Sequence, residues 1–286
     1  MIFKKIVGEI FKKTTTYLTG HGIGNNKVVS AVFVYLKSNL KSDFVEIDGN
    51  KLFLDKNDSL CLSINGIYEE FETNIVKKEV KQGDVVIDIG ANIGYFTLIF
   101  AKLVGDKGKV FAFEPDPTNF ELLKKNVEIN GYKNVVLEQK ALSDNQGKMM
   151  LSLNKVNTAG HQLDFKNEKS SNSVEVDVLS LDKYFSKHII DINFIKMDVE
   201  GAESNIIQGM TNILKNSKSL KMIVEYNPIA INEIGLNPKN YLNLLVENGF
   251  CLYDINERTK TLEKTEPKEL LKKYQKIYTN LFCLKN

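Results

Sequence analysis

The stretch DVVIDIGANIGYFT, from Asp84 to Thr97, constrains this chain more than any other. Val85, Val86 and Ile87 form a short β-branched run that Asp88 closes. Gly90, Asn92 and Gly94 follow, and a helix-like segment runs from Tyr95 to Leu103. A buried run, a glycine-rich turn and a helix make the opening of a nucleotide-binding α/β unit. The glycines let the backbone turn tightly and let a ligand approach with no Cβ in the way. The next apolar run, Lys109 to Phe113, ends on Glu114, twenty residues past Gly94. A carboxylate there, at the end of a second strand, is placed to bind a ribose diol.

The spacing narrows the ligand. Gly90-Ala-Asn-Ile-Gly94 is not the GxGxxG of a dinucleotide fold, and no GK[ST] follows to hold phosphates. Asp88 would face the loop mouth as a carboxylate, repelling pyrophosphate and attracting an α-amino group or a sulfonium. S-adenosylmethionine carries both positive groups and no phosphate, so it is the expected cofactor. The plainer alternative is an ordinary strand–turn–helix whose glycines only cap.

From Asp84 the chain alternates. Strand 84–89, helix 94–104, strand 109–113, helix 117–130 and strand 134–140 lead to the loop Ala141-Leu142-Ser143-Asp144. Asn193–Met197 and Leu220–Tyr226 supply two more strands, and Phe250–Asp254 with Asn280–Leu284 a closing antiparallel pair. Parallel strands joined by helices imply a doubly wound α/β sheet with ligands outside its carboxyl edge. Asp88, Glu114, Ser143 and Asp198 all fall at or just past strand ends. Residues 147–178 interrupt the alternation as an insertion, with strands at Lys148–Leu153 and Ser173–Val178. Its polar middle, 154–173, has few apolar anchors beyond Leu163 and Phe165. It is expected to be a mobile acceptor-side lid, with Asn157, Thr158 and His161 facing the acceptor.

Residues 1–65 read as an extension in front of the domain at 66–286. Ile2, Phe3, Ile6, Val7, Ile10 and Phe11 share one face of a helix over 2–19, with lysines around it. Such a helix suits peripheral contact with a membrane surface, or packing on the domain or on a second copy in a homo-oligomer. A β-meander over 43–64 follows, with strands at Phe44–Ile47, Lys51–Leu54 and Leu60–Ile64.

Composition excludes some partners. The net charge is +2, Arg258 is the only arginine and there is no tryptophan. Nucleic-acid methylation wants a basic groove and an aromatic base pocket, so nucleic acid is not expected. Cys61, Cys251 and Cys283 are few and scattered, which fits a reducing cytoplasm and no metal site. The chain start is a poor signal peptide, and no apolar run approaches the roughly 18 residues of a membrane span.

A second acidic cluster, Asp198-Val-Glu-Gly-Ala-Glu203, ends the fourth core strand. Asp198 lies beside the cofactor loop, as orienter, base or metal ligand. Glu200 and Glu203 are read either as functional or as stabilising a helix start. Together, DVVIDIGANIGYFT, Glu114-Pro115, Ala141-Leu142-Ser143 and Ile195-Lys-Met-Asp-Val-Glu-Gly-Ala-Glu203 resemble the FkbM family of S-adenosylmethionine-dependent methyltransferases. The resemblance covers roughly residues 66–226. It implies the class I methyltransferase fold, a Rossmann-like seven-stranded sheet with an antiparallel C-terminal strand. It also implies O-methylation of a hydroxyl on a sugar, glycan or related small molecule.

By motif position, Asp88, Gly90, Asn92 and Gly94, with Tyr95, would hold the methionine part of the cofactor. Glu114 and Pro115 would meet the ribose, and Leu142 and Ser143 the adenine. A sugar hydroxyl is a weak nucleophile, so a base or a divalent metal should assist it. Asp198, His161 and Glu200 are the candidate catalytic residues, and no metal ligand is assigned. Methylation of a protein or nucleic-acid nitrogen, or a non-catalytic cofactor-binding scaffold, are the competing readings.

Overall fold

The computed structural model describes residues 42–154, 157–165, 170–187 and 190–285. The expected amphipathic helix at 2–19 and the insertion tip at 166–169 lie outside the described residues. The chain divides into two compact units, Met1–Tyr68 and Glu69–Asn286.

In the first unit, β1 (Phe44–Ile47) and β2 (Asn50–Phe53) form an antiparallel hairpin. Asp48 and Gly49 both take positive φ, 51° and 81°, which matches the right-handed twist of paired strands. The expected third strand, Leu60–Ile64, is instead a helical turn over Leu62–Asn65. The Asp58 carboxylate accepts the backbone N–H groups of Leu62 and Ser63, drawing the chain out of an extended path.

The second unit holds a four-stranded insertion sheet beside the main sheet. Its main-sheet strands are β3 (Val85–Ile89), β4 (Lys109–Phe113), β5 (Val135–Glu138), β10 (Phe194–Met197), β11 (Lys221–Tyr226), β12 (Phe250–Asn256), β13 (Thr261–Thr265) and β14 (Thr279–Lys285). Their order is β13-β12-β14-β11-β10-β3-β4-β5. The five strands from β11 to β5 are parallel, and β14 is inserted antiparallel between β11 and β12. This is the class I methyltransferase sheet. The count is eight rather than seven, because β12 turns back into β13 as an edge hairpin.

The core strands are apolar on both faces, as strands covered by helices must be: Val86, Ile87, Ile89, Val110, Ala112, Ile195, Met197, Met222 and Val224 are all buried. Helices Tyr95–Val104 and Pro117–Ile129 follow β3 and β4. The second begins where expected because Asp116 caps it, accepting from Asn119 N–H at 2.8 Å, with Pro117 in the first turn.

The insertion is more ordered than its composition suggests. The smaller sheet runs β6 (Ala141–Leu142), β9 (Ser173–Leu179), β7 (Gly147–Ser152), β8 (Gln162–Asp164). Ala141 and Leu142, expected as loop, pair in parallel with Val178 and Leu179. Leu151, Leu163, Val176 and Val178 bury a small apolar core with Ala141 and Ala202.

Candidate functional site

The loop after β3 is built from left-handed residues: Gly90 (φ 78°), Asn92 (φ 50°) and Gly94 (φ 95°). Gly90 and Ala91 N–H both donate to the Phe113 carbonyl at 3.0 Å, fastening the loop to the end of β4. A Cβ on Gly90 would collide with the Asp198 carbonyl oxygen. Asp198 N–H in turn donates to the Ile89 carbonyl at 3.1 Å. The two central strand ends therefore meet backbone to backbone, and glycine is required there.

Glu114 stands at the neighbouring strand end. Its carboxylate accepts Asn92 N–H at 2.8 Å on one oxygen and Asp116 N–H at 2.9 Å on the other. Burial pushes its pKa up to about 8, against the pull of those two hydrogen bonds. Each oxygen keeps a lone pair for a ligand hydroxyl.

Gly90, Asn92, Glu114, Pro115, Leu142, His161 and Asp198, all expected site residues, line one cleft. Its far wall comes from the insertion, where the Thr158 carbonyl accepts from the Asn119 side chain at 3.0 Å. His161 is on this wall. Its Nδ1 accepts Asn154 N–H at 2.9 Å, so the proton sits on Nε2, and burial lowers its pKa. In this state the imidazole's Nε2–H is a hydrogen-bond donor.

Other expected residues are nearby but do not line the cleft. Asp88 lies beneath the loop, buried, accepting from Thr97 Oγ1 at 2.5 Å, with its pKa raised by burial to about 6. It supports the loop from below. Tyr95 is buried in the first turn of its helix, its hydroxyl 3.1 Å from Thr73 Oγ1. Ser143 is buried, and its carbonyl packs so closely on Gly209 that a Cβ there would collide with it. Gly94 takes up the helix start against Leu123. Glu200 turns away toward Asn227, 3.4 Å from its Nδ2. Glu203 is buried and accepts the N–H groups of Val199 and Gly201, both at 3.3 Å, which bends the chain after Asp198.

The residue missed by sequence reasoning is Lys196. It is 2% exposed, and its Nζ lies 3.1 Å from Asp198 Oδ2, 3.5 Å from Glu72 Oε1 and 4.6 Å from the Phe96 ring centroid. Burial alone would lower its pKa, but Asp198, Glu72, Glu69 and Asp88 hold it well above the ordinary lysine value. The signal was a lysine in mid-strand between Ile195 and Met197, which a buried strand tolerates only with a counter-ion. Lys196 fixes one edge of Asp198, whose side chain keeps 25% of its surface exposed at the cleft.

The model of the methyltransferase FkbM domain matches residues 88–252, more than half of the chain. The chain belongs to the FkbM methyltransferase family. Among its relatives is the hexuronic acid methyltransferase AglP of Haloferax volcanii, 29% identical over 63% of this chain and 68% of that protein. Methyltransferase 1 of Beauveria bassiana is 27% identical over 44% of this chain and 57% of its own length. The 31-O-demethyl-FK506 methyltransferase FkbM of Streptomyces tacrolimicus is 44% identical over 24% of this chain and 26% of its own.

As an FkbM methyltransferase the chain uses S-adenosylmethionine. The residues present fit it: the Gly90 backbone is bare of a side chain and the Glu114 carboxyl stands at one wall of the cleft. Among the described residues, no group of three or more His, Cys, Asp or Glu could hold a metal ion. No described helix is long and apolar enough to cross a membrane.

Proposed function

We propose that this chain is an O-methyltransferase acting on a hydroxyl of a sugar or glycan. The observation that carries the reading is the Lys196–Asp198 pair at the end of β10, against the glycine loop and open to the cleft. The Haloferax relative, named for a hexuronic acid, and the Streptomyces relative, named for a 31-O position, support a hydroxyl acceptor.

When bound, S-adenosylmethionine supplies an electrophilic methyl on a sulfonium sulfur. The chain's own work is alignment and proton removal. Glu114 would receive the ribose hydroxyls, and His161, which carries its proton on Nε2, lines the same cleft. The bare Gly90 backbone would leave room for the methionine end of the cofactor. Lys196 holds Oδ2 of Asp198, leaving Oδ1 to take the proton of the acceptor hydroxyl. Glu72, across Lys196, keeps that ammonium from drifting off Asp198.

The test is methyl transfer from a labelled donor to a set of sugar glycosides, with product binding followed by calorimetry. Asp198→Asn should lower kcat by about 10²-fold or more. Its affinity for S-adenosylhomocysteine should stay within about threefold, a difference of under 1 kcal/mol. Full kcat in that variant would remove Asp198 from the chemistry.

A further inference from the structure

Beyond the cofactor cleft, the polar chain that begins at Asp198 continues. Lys196 leads to Glu72, and Glu72 Oε2 accepts from Asn280 Nδ2 at 2.5 Å. The same Asn280 amide donates to Glu69 at 3.1 Å. Glu69 and Asn280 line a second cleft, together with Tyr278, Ile277 and Lys273. It opens at the carboxyl edge of the sheet, because β14 runs antiparallel and its start, Thr279, pairs with Tyr226 at the end of β11.

We propose that this second cleft is the acceptor subsite and that it takes an uncharged or amino-bearing oligosaccharide while rejecting a uronate; this rests on the sugar O-methyltransferase reading above.

Three observations carry it. Glu225 faces Asn280 across the β11–β14 ladder, so its side chain shares that face. It is 6% exposed, yet its Oε2 has no hydrogen-bond partner among the described residues. Burial first, then Asp198, Glu200 and Glu203, push its pKa up to about 11, so it is a neutral carboxyl able to donate to a hydroxyl. A buried polar atom left without a partner is costly, and a ligand hydroxyl reaching in past Asn280, the cross-strand neighbour that does line the cleft, would satisfy it.

Second, Tyr278 is 57% exposed beside Asn280. Its pKa is raised to about 12, by desolvation first and then by Glu69, Glu225, Asp198 and Glu200. An exposed tyrosine ring offers an apolar face to the C–H side of a pyranose and its hydroxyl to the polar side.

Third, the cations are taken. Lys196 is shared by Asp198 and Glu72, and Lys273 is held by Asp254 at 2.6 Å. A uronate would find no free cation among the described lining residues to pair with its carboxylate. The β14 strand lies two strands from β10, about 10 Å at the usual spacing, so a ligand touching both Tyr278 and Asp198 spans more than one ring.

The full chain is assayed with labelled donor and β-1,4-linked trimers of glucose, glucosamine and glucuronic acid, with S-adenosylhomocysteine binding measured alongside. The glucose and glucosamine trimers should be methylated with kcat/KM at least about tenfold above the glucuronic acid trimer. Tyr278→Ala should raise acceptor KM about tenfold with cofactor-product affinity unchanged. Tyr278→Lys, at an exposed position that leaves the core untouched, should lift turnover of the glucuronic acid trimer. Equal use of all three trimers, or an unchanged KM in Tyr278→Ala, overturns the subsite while leaving the sugar methyltransferase reading standing. No transfer to any trimer by a chain that binds S-adenosylhomocysteine overturns both.

Discussion

A histidine that accepts a backbone N–H through one ring nitrogen has that lone pair occupied. Such is the state of His161, whose Nδ1 takes the Asn154 N–H while its Nε2–H remains to donate. Its chemistry made it an attractive base in the sequence, but nothing in a loop sequence tells which nitrogen a neighbouring amide will claim. Lys196 is the reverse case. Its position in mid-strand was legible, whereas its partner Glu72 comes from a helix more than a hundred residues earlier. The glycine loop, Glu114 and Asp198 were legible because their spacing ties them to strand ends. Tyr95 and Ser143 were not separable from the site, since a residue next to a motif can point inward or outward. For His161→Ala the expected loss is of one hydrogen bond, about 1 kcal/mol, or roughly fivefold weaker S-adenosylhomocysteine binding. At saturating donor its kcat should stay within about twofold, where loss of a general base would cost about 10²-fold or more. Paired calorimetry and kinetics separate the two.

At the scale of elements, the long periodic segments were readable and the short non-local ones were not. The helices after β3 and β4, and strands β7 and β9, fall within a residue or two of their expected bounds. Strand β8 is three residues, Gln162–Asp164, with one apolar side chain, so no alternation could announce it. What holds it is the ladder to β7, pairing Leu163 with Leu151. Ala141 and Leu142 likewise become a strand only because β9, far along the chain, runs beside them. The described part of the insertion pairs into a sheet and lines one wall of the cleft, and we propose that it serves the cofactor more than the acceptor. Replacing residues 158–163 with a Gly-Ser segment of equal length should weaken S-adenosylhomocysteine binding about tenfold or more, through loss of the His161 donor and of the Leu163 anchor that holds this wall in place. Acceptor KM at saturating donor should change far less. The reverse pattern, intact cofactor binding with a raised acceptor KM, would restore the lid.

Across the whole molecule, the α/β class and the carboxyl-edge location of the site follow from alternation alone, but the edge hairpin of β12 and β13 and the depth at which acids are buried do not. Acid burial has a global consequence. Glu114 and Glu203 are buried, with pKa values raised to about 8 by desolvation, and Asp88 is raised to about 6 by the same cause. In the unfolded chain these groups release their protons near the ordinary values of 4.5 and 3.8. Between those values and the folded ones the native state holds more protons than the unfolded state, so stability must fall as pH rises. The contribution is fully present below the unfolded values and is lost as pH climbs through the folded ones. Each such group contributes a slope on the order of 1 kcal/mol per pH unit inside its window. The thermal midpoint of the chain should therefore be several degrees higher near pH 5.5 than near pH 8, at roughly 2–4 °C per kcal/mol for a domain of this size. Glu114→Gln should flatten that slope by the share of one proton, whatever it does to the midpoint itself. Scanning calorimetry over a pH series reads both quantities. A midpoint that climbs from pH 5.5 to 8, or a slope that Glu114→Gln leaves unchanged, would mean that Glu114 is ionised in the fold and meets the cofactor as a carboxylate at every working pH.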